Sequence, residues 1–178
     1  MSDSPSFSNA FRPTRIVSGG QTGVDRAALD FAIANDWDHG GWCPAGRLSE
    51  DGRIPDHYRL TEIDRPSYAA RTRMNVRDTD ATLVISCRPM GAGTALTLKC
   101  CRQCRRPFHH LAVRTRDLRE PLDSQSEWVL DTASWLSQVQ PDALNIAGPR
   151  ESSHPGVYLW AHRFLETLWN THRSGETD

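Results

Sequence analysis

Short apolar runs that end at turn residues recur along the chain and predict buried β-strands. The run Arg15-Ile16-Val17-Ser18 closes at two glycines, and the clearest run, Ala81 to Ser86, closes at a second glycine turn. Apolar runs of about 4–8 residues between turn residues are typical of strands buried in a sheet. The sequence therefore predicts strands over 15–18, 81–86, 107–113 and 143–148.

Longer segments between these strands carry helical patterns. Val24, Ala27, Ala28 and Phe31 recur at helical spacing, which indicates one helix face packed on a core. Similar patterns predict helices over 24–35, 68–78, 94–105, 124–139 and 155–169. Because strand, glycine turn and helix repeat along the chain, we predict an α/β fold with a mostly parallel sheet and helices on both faces.

The length of 178 residues fits a single domain. We place that domain over 13–171, with a disordered leader at 1–12 and a flexible tail at 172–178. Within the domain, glycines and prolines between Asp38 and Pro66 predict a long loop. Loops of that length are usually functional or disordered.

Composition narrows the class of protein. The net charge is −1, whereas a general nucleic-acid binder is usually basic, so we expect no nucleic-acid partner. No apolar stretch approaches the roughly 18–20 residues that span a membrane, and the chain start shows no export signal. Five cysteines, an odd number, indicate free thiols in a reducing compartment. We therefore expect a cytoplasmic protein with no membrane partner.

The turn from Ser18 to Asp25 joins the first predicted strand to the first predicted helix. Glycines let a ligand approach the main chain closely, and the start of a helix attracts anions. Thr22 adds a hydroxyl donor, and Asp25 either accepts from a ribose-like hydroxyl or caps the helix. The turn matches neither the Walker pattern nor the dinucleotide fingerprint, and a tight turn without a ligand is the alternative. We predict that a phosphate-bearing ligand is bound here by Gly19, Gly20, Gln21, Thr22, Gly23 and Asp25.

A second turn, with Gly91, Gly93 and Thr94, follows the second strong strand and repeats this logic. In parallel α/β folds, ligands bind beyond the carboxyl ends of the strands, where Gly148 also falls. Just before that strand come three further candidate binding residues, Arg71, Asn75 and Arg77. Either arginine is a plausible charge partner for an anion, and solvated surface arginines are the alternative.

The segment from Gly40 to Arg47 offers an aromatic ring, a thiol and a cation. Trp42 either stacks on a planar ligand ring or anchors its loop to the core. Cys43 is a candidate reactive thiol or soft metal ligand. Glu50, Asp51, Asp56 and His57 form a polar cluster in sequence, but no Ser-His-Asp arrangement has local support.

Cys100, Cys101 and Cys104 fall inside a predicted helix, with two histidines nearby. A structural zinc site usually brings a second, well-spaced pair of ligands, which is not evident here. Cys100 and Cys104 lie four residues apart on one helix face, where buried cysteine behaves as a small hydrophobe. Helix packing is therefore favoured over zinc, and we predict no metal site.

Several long motifs closely resemble the molybdenum carrier family, also called molybdenum cofactor carrier proteins. The first is Ile16 to Asp30, and the last is Leu144 to Arg150. Between them come His39-Gly40-Gly41-Trp42-Cys43-Pro44, Gly46-Arg47, Glu50-Asp51-Gly52, Asn75-Val76-Arg77-Asp78 and Gly93-Thr94-Ala95-Leu96. The resemblance extends from about residue 14 to residue 168.

This resemblance implies a Rossmann-like fold, related to the lonely-guy phosphoribohydrolases and to DNA-processing protein A. It also implies a homo-oligomer, which we take to be a tetramer. The implied role is to bind, protect or carry the molybdenum cofactor, a phosphate-bearing pterin, as cargo. Molybdoenzymes or cofactor-synthesis proteins would then be its donors or acceptors. A nucleotide would need the same kinds of residue, so a sensor or enzyme acting on a nucleoside monophosphate is the alternative.

The chain departs from the related phosphoribohydrolases at one point. Those enzymes carry a Pro-Gly-Gly-x-Gly-Thr turn followed closely by a catalytic glutamate. Here the stretch from Pro89 to Lys99 has no acidic residue. A ribosyl cation would lack its stabilising carboxylate, which favours binding over hydrolysis.

Overall fold

A computed structural model of the chain describes residues 10–169, which form a Rossmann-like α/β fold. The main sheet contains β1 (Arg15–Val17), β2 (Asp38–Gly40), β7 (Ala81–Cys87), β8 (Phe108–Val113) and β9 (Ala143–Ala147). The helices are α1 (Val24–Ala34), α2 (Tyr68–Arg77), α3 (Ala92–Cys104), α4 (Glu127–Val139) and α5 (Val157–Leu168). All four strand pairings in the sheet are parallel. The predicted fold class is confirmed.

The strand order is β2-β1-β9-β7-β8, so the last strand along the chain lies in the middle of the sheet. From β1 the chain moves to one edge through α1, and from β7 it moves to the other edge through α3. The direction therefore reverses around β9. At such a switch point a crevice opens beyond the carboxyl ends of the strands.

Helices cover both faces of the sheet. Alternate residues of β7 show this division: Leu83 and Ile85 join the large core beneath α1, α4 and α5, whereas Val84 packs with α2 and α3. Every residue of β7 is buried. Burial on both faces explains why this strand has a continuous apolar sequence rather than an alternating one.

The predicted loop from Asp38 to Pro66 is more ordered than expected. Its first three residues form β2, which pairs with β1 at the edge of the main sheet. The rest contains two small sheets, one of β3 (Trp42–Cys43) with β6 (Thr61–Glu62) and one of β4 (Leu48–Ser49) with β5 (Gly52–Arg53). The prediction failed because strands of two or three residues carry no detectable periodicity.

The chain start also differs from the expectation of a leader over 1–12. Ala10 is buried, and Phe11 packs against the large core and accepts a hydrogen bond from the Trp169 indole at 3.1 Å. The guanidinium of Arg12 lies 4.2 Å from the centre of the Trp37 ring. These contacts fix residues 10–12 to the domain. The remainder of the predicted leader and the predicted tail at 172–178 lie outside the described residues.

Candidate functional site

A cavity of about 270 Å³ opens at the switch point of the sheet. Its walls come from the turn after β1, from α2, from the start of α3 and from the segment after β9. Seven of the predicted site residues line it: Gln21, Asp25, Arg71, Asn75, Gly91, Gly93 and Thr94. Residues from both predicted glycine turns and from α2 therefore line the same cavity.

The start of α3 is open toward this cavity. Gly91 is the N-cap residue, and no side chain within residues 10–169 caps the helix. A side-chain carbon placed on Gly91 or Gly93 would meet nothing within 4 Å. Since the first amides of a helix lack partners within the helix, this end is available to an anion.

The start of α1, in contrast, is occupied by protein groups. The amide of Val24 donates to Pro149 O at 3.2 Å, and that of Thr22 donates to Oε1 of Gln21 at 3.0 Å. Gly23 has a φ of 77°, and a side-chain carbon there would lie 2.3 Å from Pro149 O. The turn therefore serves close packing against the segment after β9. Gly19, Gly20, Thr22 and Gly23 are not among the residues that line the cavity.

Arg71 and Asp25 form an ion pair on the cavity wall. Nη1 of Arg71 lies 2.9 Å from Oδ2 of Asp25, and both side chains are largely buried. The same Asp25 oxygen accepts from the amide of Gln21 at 3.3 Å. Gly19 provides the space for this arrangement, because a side-chain carbon there would lie 1.4 Å from Nη1 of Arg71.

Three residues of the wall carry buried polar atoms without a hydrogen-bond partner among the described residues. They are Nε2 of Gln21, Nε of Arg71 and Nδ1 of His154. Gln21 is 4% exposed and His154 is 5% exposed. Buried polar groups are nearly always paired, so such a cluster needs an explanation, and a bound ligand with several acceptor oxygens supplies one.

Several lining residues were missed by the sequence analysis. Tyr68 and Arg150 stand together at the cavity, with the guanidinium carbon of Arg150 5.2 Å from the Tyr68 ring centre. Asn145 lies on β9 and donates to the Thr82 hydroxyl at 3.3 Å. The remaining missed residues that line the cavity are Thr72, Ala92, Leu96, Thr97, Ala147, Pro149, Ser153 and His154.

Trp42 lies outside this cavity and is held by α2. Its backbone exchanges two hydrogen bonds with the side-chain amide of Asn75, at 2.7 and 3.0 Å. Its indole nitrogen donates to Asp78 at 2.9 Å. The same carboxylate pairs with Arg77, whose hydrogen bonds lower the pKa of Asp78. The structure thus favours the anchoring alternative for Trp42, and it places Arg77 away from the cavity.

The hairpin of β4 and β5 holds the segment after β9. Glu50 accepts hydrogen bonds from the hydroxyls of Thr22 and Ser152 and from the Ser152 amide. Asp51 is bound by the Arg26 guanidinium, with one contact at 2.7 Å. The predicted polar cluster therefore divides, because Asp56 pairs instead with Arg53 at 2.8 Å. Glu50 and Asp51 support the cavity wall indirectly.

The cysteines are packed rather than exposed. Cys43 is buried against Leu29, Ile54 and Tyr58, and this burial raises the pKa of its thiol. Cys100 and Cys101 lie in the small core beneath α3. Within residues 10–169 no group of three or more His, Cys, Asp or Glu side chains is placed to hold a metal ion. No helix in the same range is long and apolar enough to cross a membrane.

These features define a Rossmann-like protein with a cavity at the switch point of a parallel sheet. Residues 16–169 match the model of the circularly permutated YpsA SLOG family, and the chain belongs to that family. It is also 39% identical to a protein of known crystal structure, the "Putative molybdenum carrier protein" of Syntrophus aciditrophicus SB. That alignment covers 90% of this chain and 97% of the other, with a TM-score of 0.80. None of the curated proteins matches the chain.

These matches confirm the family resemblance that the motifs indicated. The relative's name connects it with molybdenum, and the name is a property of that protein alone. For this chain, the ligand must be inferred from the cavity.

Proposed function

We propose that this protein binds the molybdenum cofactor in the cavity at the switch point and carries or protects it without catalysis. The observation that carries this proposal is the cluster of unpartnered polar atoms on Gln21, Arg71 and His154. All three residues line the same cavity as the uncapped start of α3. Together they match a ligand that is anionic at one end and rich in acceptors.

The phosphate of the ligand is best placed at the start of α3. There the amides after Gly91 and the helix dipole favour a negative charge. Arg71 supplies a cation whose Nε is still unpartnered, while its Nη1 remains on Asp25. Because Asp25 fixes the guanidinium beforehand, binding needs little further ordering of this side chain.

Within residues 10–169, the lack of a free carboxylate in the cavity favours carriage over hydrolysis. Among the described residues that line the cavity, Asp25 is the one carboxylate, and it is paired with Arg71. The first turns of α3 contain threonine and leucine where the related hydrolases have glutamate. A developing ribosyl cation would therefore find no free carboxylate along this wall.

The size of the cavity sets how the cargo fits. A volume of about 270 Å³ lies just below the roughly 300–1,000 Å³ of sites that enclose drug-sized ligands. The cavity therefore encloses only part of the cofactor, and we expect the larger ring system to extend from the start of α3 toward Tyr68 and Arg150.

The test is to purify the full chain from cells that make the cofactor, oxidise and denature it, and measure the fluorescent pterin that is released. The key variant is Gly91→Asp, since aspartate is a favourable N-cap but opposes an anion at that helix end. Gly91→Asn is the matched control, because it caps equally well without charge. We expect pterin from wild type and Gly91→Asn, and at least tenfold less from Gly91→Asp.

Two results would contradict the proposal. One is an absence of pterin above background after anaerobic loading of the wild-type protein. The other is an equal yield from Gly91→Asp and Gly91→Asn. A rise in melting temperature with adenosine monophosphate but not with the cofactor, or release of its base, would instead favour the nucleotide-binding alternative.

A further inference from the structure

One face of α2 is directed at the cavity along its length. Tyr68, Arg71, Thr72 and Asn75 follow the spacing i, i+3, i+4 and i+7, and all four line the cavity. Residues at this spacing share one side of a helix. Ser67 begins the helix, its hydroxyl accepting from the amide of Ala70 at 3.2 Å.

The order of residues along this face separates two kinds of chemistry. Asn75 is buried and held by Trp42, Arg71 carries the charge, and Tyr68 lies at the first turn of the helix. With a rise of about 1.5 Å per residue, Tyr68 lies roughly 4.5 Å along the axis from Arg71. That separation is short enough for one ligand to touch both.

The aromatic ring of Tyr68 is partly exposed to solvent. It is 37% exposed, although most large apolar side chains of the domain are buried. The Arg150 guanidinium lies over the ring at 5.2 Å. Arginine and aromatic rings both stack on flat heteroaromatic groups, and the pair presents such a surface beside the cavity.

The other aromatic candidate is fixed elsewhere. Trp42 is bound through its indole nitrogen to Asp78 and borders a different, smaller cavity with Arg15, Thr61 and Thr79. It is therefore not positioned to meet a ligand bound at Arg71 and the start of α3. Among the residues 10–169 that line the cavity at the switch point, Tyr68 is the one with an aromatic carbocycle.

We infer that Tyr68 and Arg150 form a separate subsite that stacks on the planar heteroaromatic ring of the phosphate-bearing ligand. This inference rests on the proposed function, because it presupposes that the phosphate lies at the start of α3. It goes beyond that function by assigning ring recognition to two residues and anion recognition to others. The ligand class is then a phosphate ester joined to a flat bicyclic ring, such as a pterin.

The experiment compares two probes on the purified full chain by titration calorimetry. One is the phosphate ester of 6-hydroxymethylpterin, and the other is inorganic phosphate, which has no ring. The variants are Tyr68→Leu, which keeps an apolar side chain and is compatible with the helix but lacks the ring, and Tyr68→Phe, which keeps the ring. Thermal melting of each variant in the absence of ligand confirms that it is folded.

We expect Tyr68→Leu to weaken binding of the pterin phosphate by about tenfold or more, a typical loss for one stacked ring. Tyr68→Phe should stay close to wild type, and both variants should bind inorganic phosphate as wild type does. Equal affinity of Tyr68→Leu and wild type for the pterin ester would overturn the inference while leaving the proposed function intact. An equal loss of both probes would also overturn it, since Tyr68 would then act on the anion site. If wild type binds neither probe, the proposed function and the inference both fail.

Discussion

Arg71 on α2 and Asp25 on α1 form a largely buried ion pair at 2.9 Å that joins the two helices across the cavity wall. The pair holds a cation at the cavity wall while both side chains stay largely buried. Nε of Arg71 is buried and has no partner among the described residues. Under the proposed function the same guanidinium would hold Asp25 and face the ligand, so changes at this pair should alter both stability and binding.

We expect Arg71→Met to lower the free energy of unfolding by about 3 kcal/mol, because it leaves the Asp25 carboxylate buried without its cation. Adding Asp25→Asn should recover part of that loss, since the buried charge is then removed. Urea denaturation of the two single variants and the double variant measures this. Arg53→Met, at an exposed pair with Asp56, is the control and should leave stability nearly unchanged. A double variant less stable than Arg71→Met would refute the explanation.

Gly19→Ala should act through Arg71. The new methyl carbon would lie 1.4 Å from Nη1 of the guanidinium, so the two cannot coexist and the guanidinium must move away from Asp25. We expect the effects of Gly19→Ala and Arg71→Met on unfolding to be clearly less than additive. Gly23→Ala should add fully to Arg71→Met, because its clash is with the backbone oxygen of Pro149. Chemical denaturation of the single and combined variants decides between these outcomes.

Trp42→Phe should leave ligand binding unchanged. The variant loses the indole donor to Asp78 but keeps the backbone hydrogen bonds to Asn75. A loss of about 1 kcal/mol of unfolding free energy is expected for one such hydrogen bond. Pterin yield and thermal melting measure the two effects separately. A tenfold loss of pterin without a change in melting would show that Trp42, rather than Tyr68, touches the ring.

Asp51 should contribute to stability in a pH-dependent way. Hydrogen bonds from Arg26 and Ser49 lower the pKa of Asp51 to about 2 in the folded protein. The folded state therefore holds the proton less tightly than the unfolded state. The ionised Asp51 carboxylate therefore contributes its full stabilisation above the unfolded pKa of about 4, and this contribution is lost as the pH falls through about 2. Because the side chain is 48% exposed, we expect no more than about 1 kcal/mol.

The measurement is urea denaturation of wild type and Asp51→Asn at several pH values. The difference between them should shrink as the pH falls from about 4 toward about 2. In a protein that already carries Arg26→Gln, the further change Asp51→Asn should alter the free energy of unfolding only slightly. A difference that is constant across this pH range would contradict the role of the Arg26 contact.

The thiols should differ in reactivity according to burial. Cys43, Cys87, Cys100 and Cys101 are buried, and burial raises the pKa of each, to about 11 for Cys87. Cys104 is only partly buried. Iodoacetamide at about pH 8 should therefore modify Cys104 first in the native protein, since the thiolate is the reactive form. Peptide mass mapping identifies the labelled site, and labelling of all five cysteines in urea is the control. Rapid labelling of Cys43 would restore the reactive-thiol alternative.

The sequence predicted the strands and helices that have long apolar patterns, and it predicted several residues that line the cavity. The turn at 91–94 reaches the cavity because it follows a strand of a parallel sheet, and Arg71 and Asn75 reach it from the helix that precedes that strand. The sequence did not reveal which of the two helices, α1 or α3, begins with unpaired amides. Gln21 and Pro149 satisfy the amides of the first turn, and Pro149 comes from a segment more than a hundred residues away.

The position of Trp42 outside the cavity also has a physical reason. Trp42 was a candidate because its segment combines an aromatic ring, a thiol and a cation, but its hydrogen bonds to Asn75 and Asp78 cannot be read from local sequence. Tyr68 could have been found, since it precedes Arg71 and Asn75 at helical spacing. His154 and Arg150 had no such signal, because only tertiary contacts bring them beside α2.

The central place of β9 has a consequence for the making of this protein on the ribosome. The pairs β1–β2 and β7–β8 can form early, but they are joined only through residues 143–147. Until that segment has left the exit tunnel, the nascent chain can form two half-sheets with unpaired edges but not the cavity. The cavity, and any binding that depends on it, can therefore form only after synthesis of the domain is nearly complete. A shortened chain ending before β9 would lack the cavity altogether rather than have a weakened one.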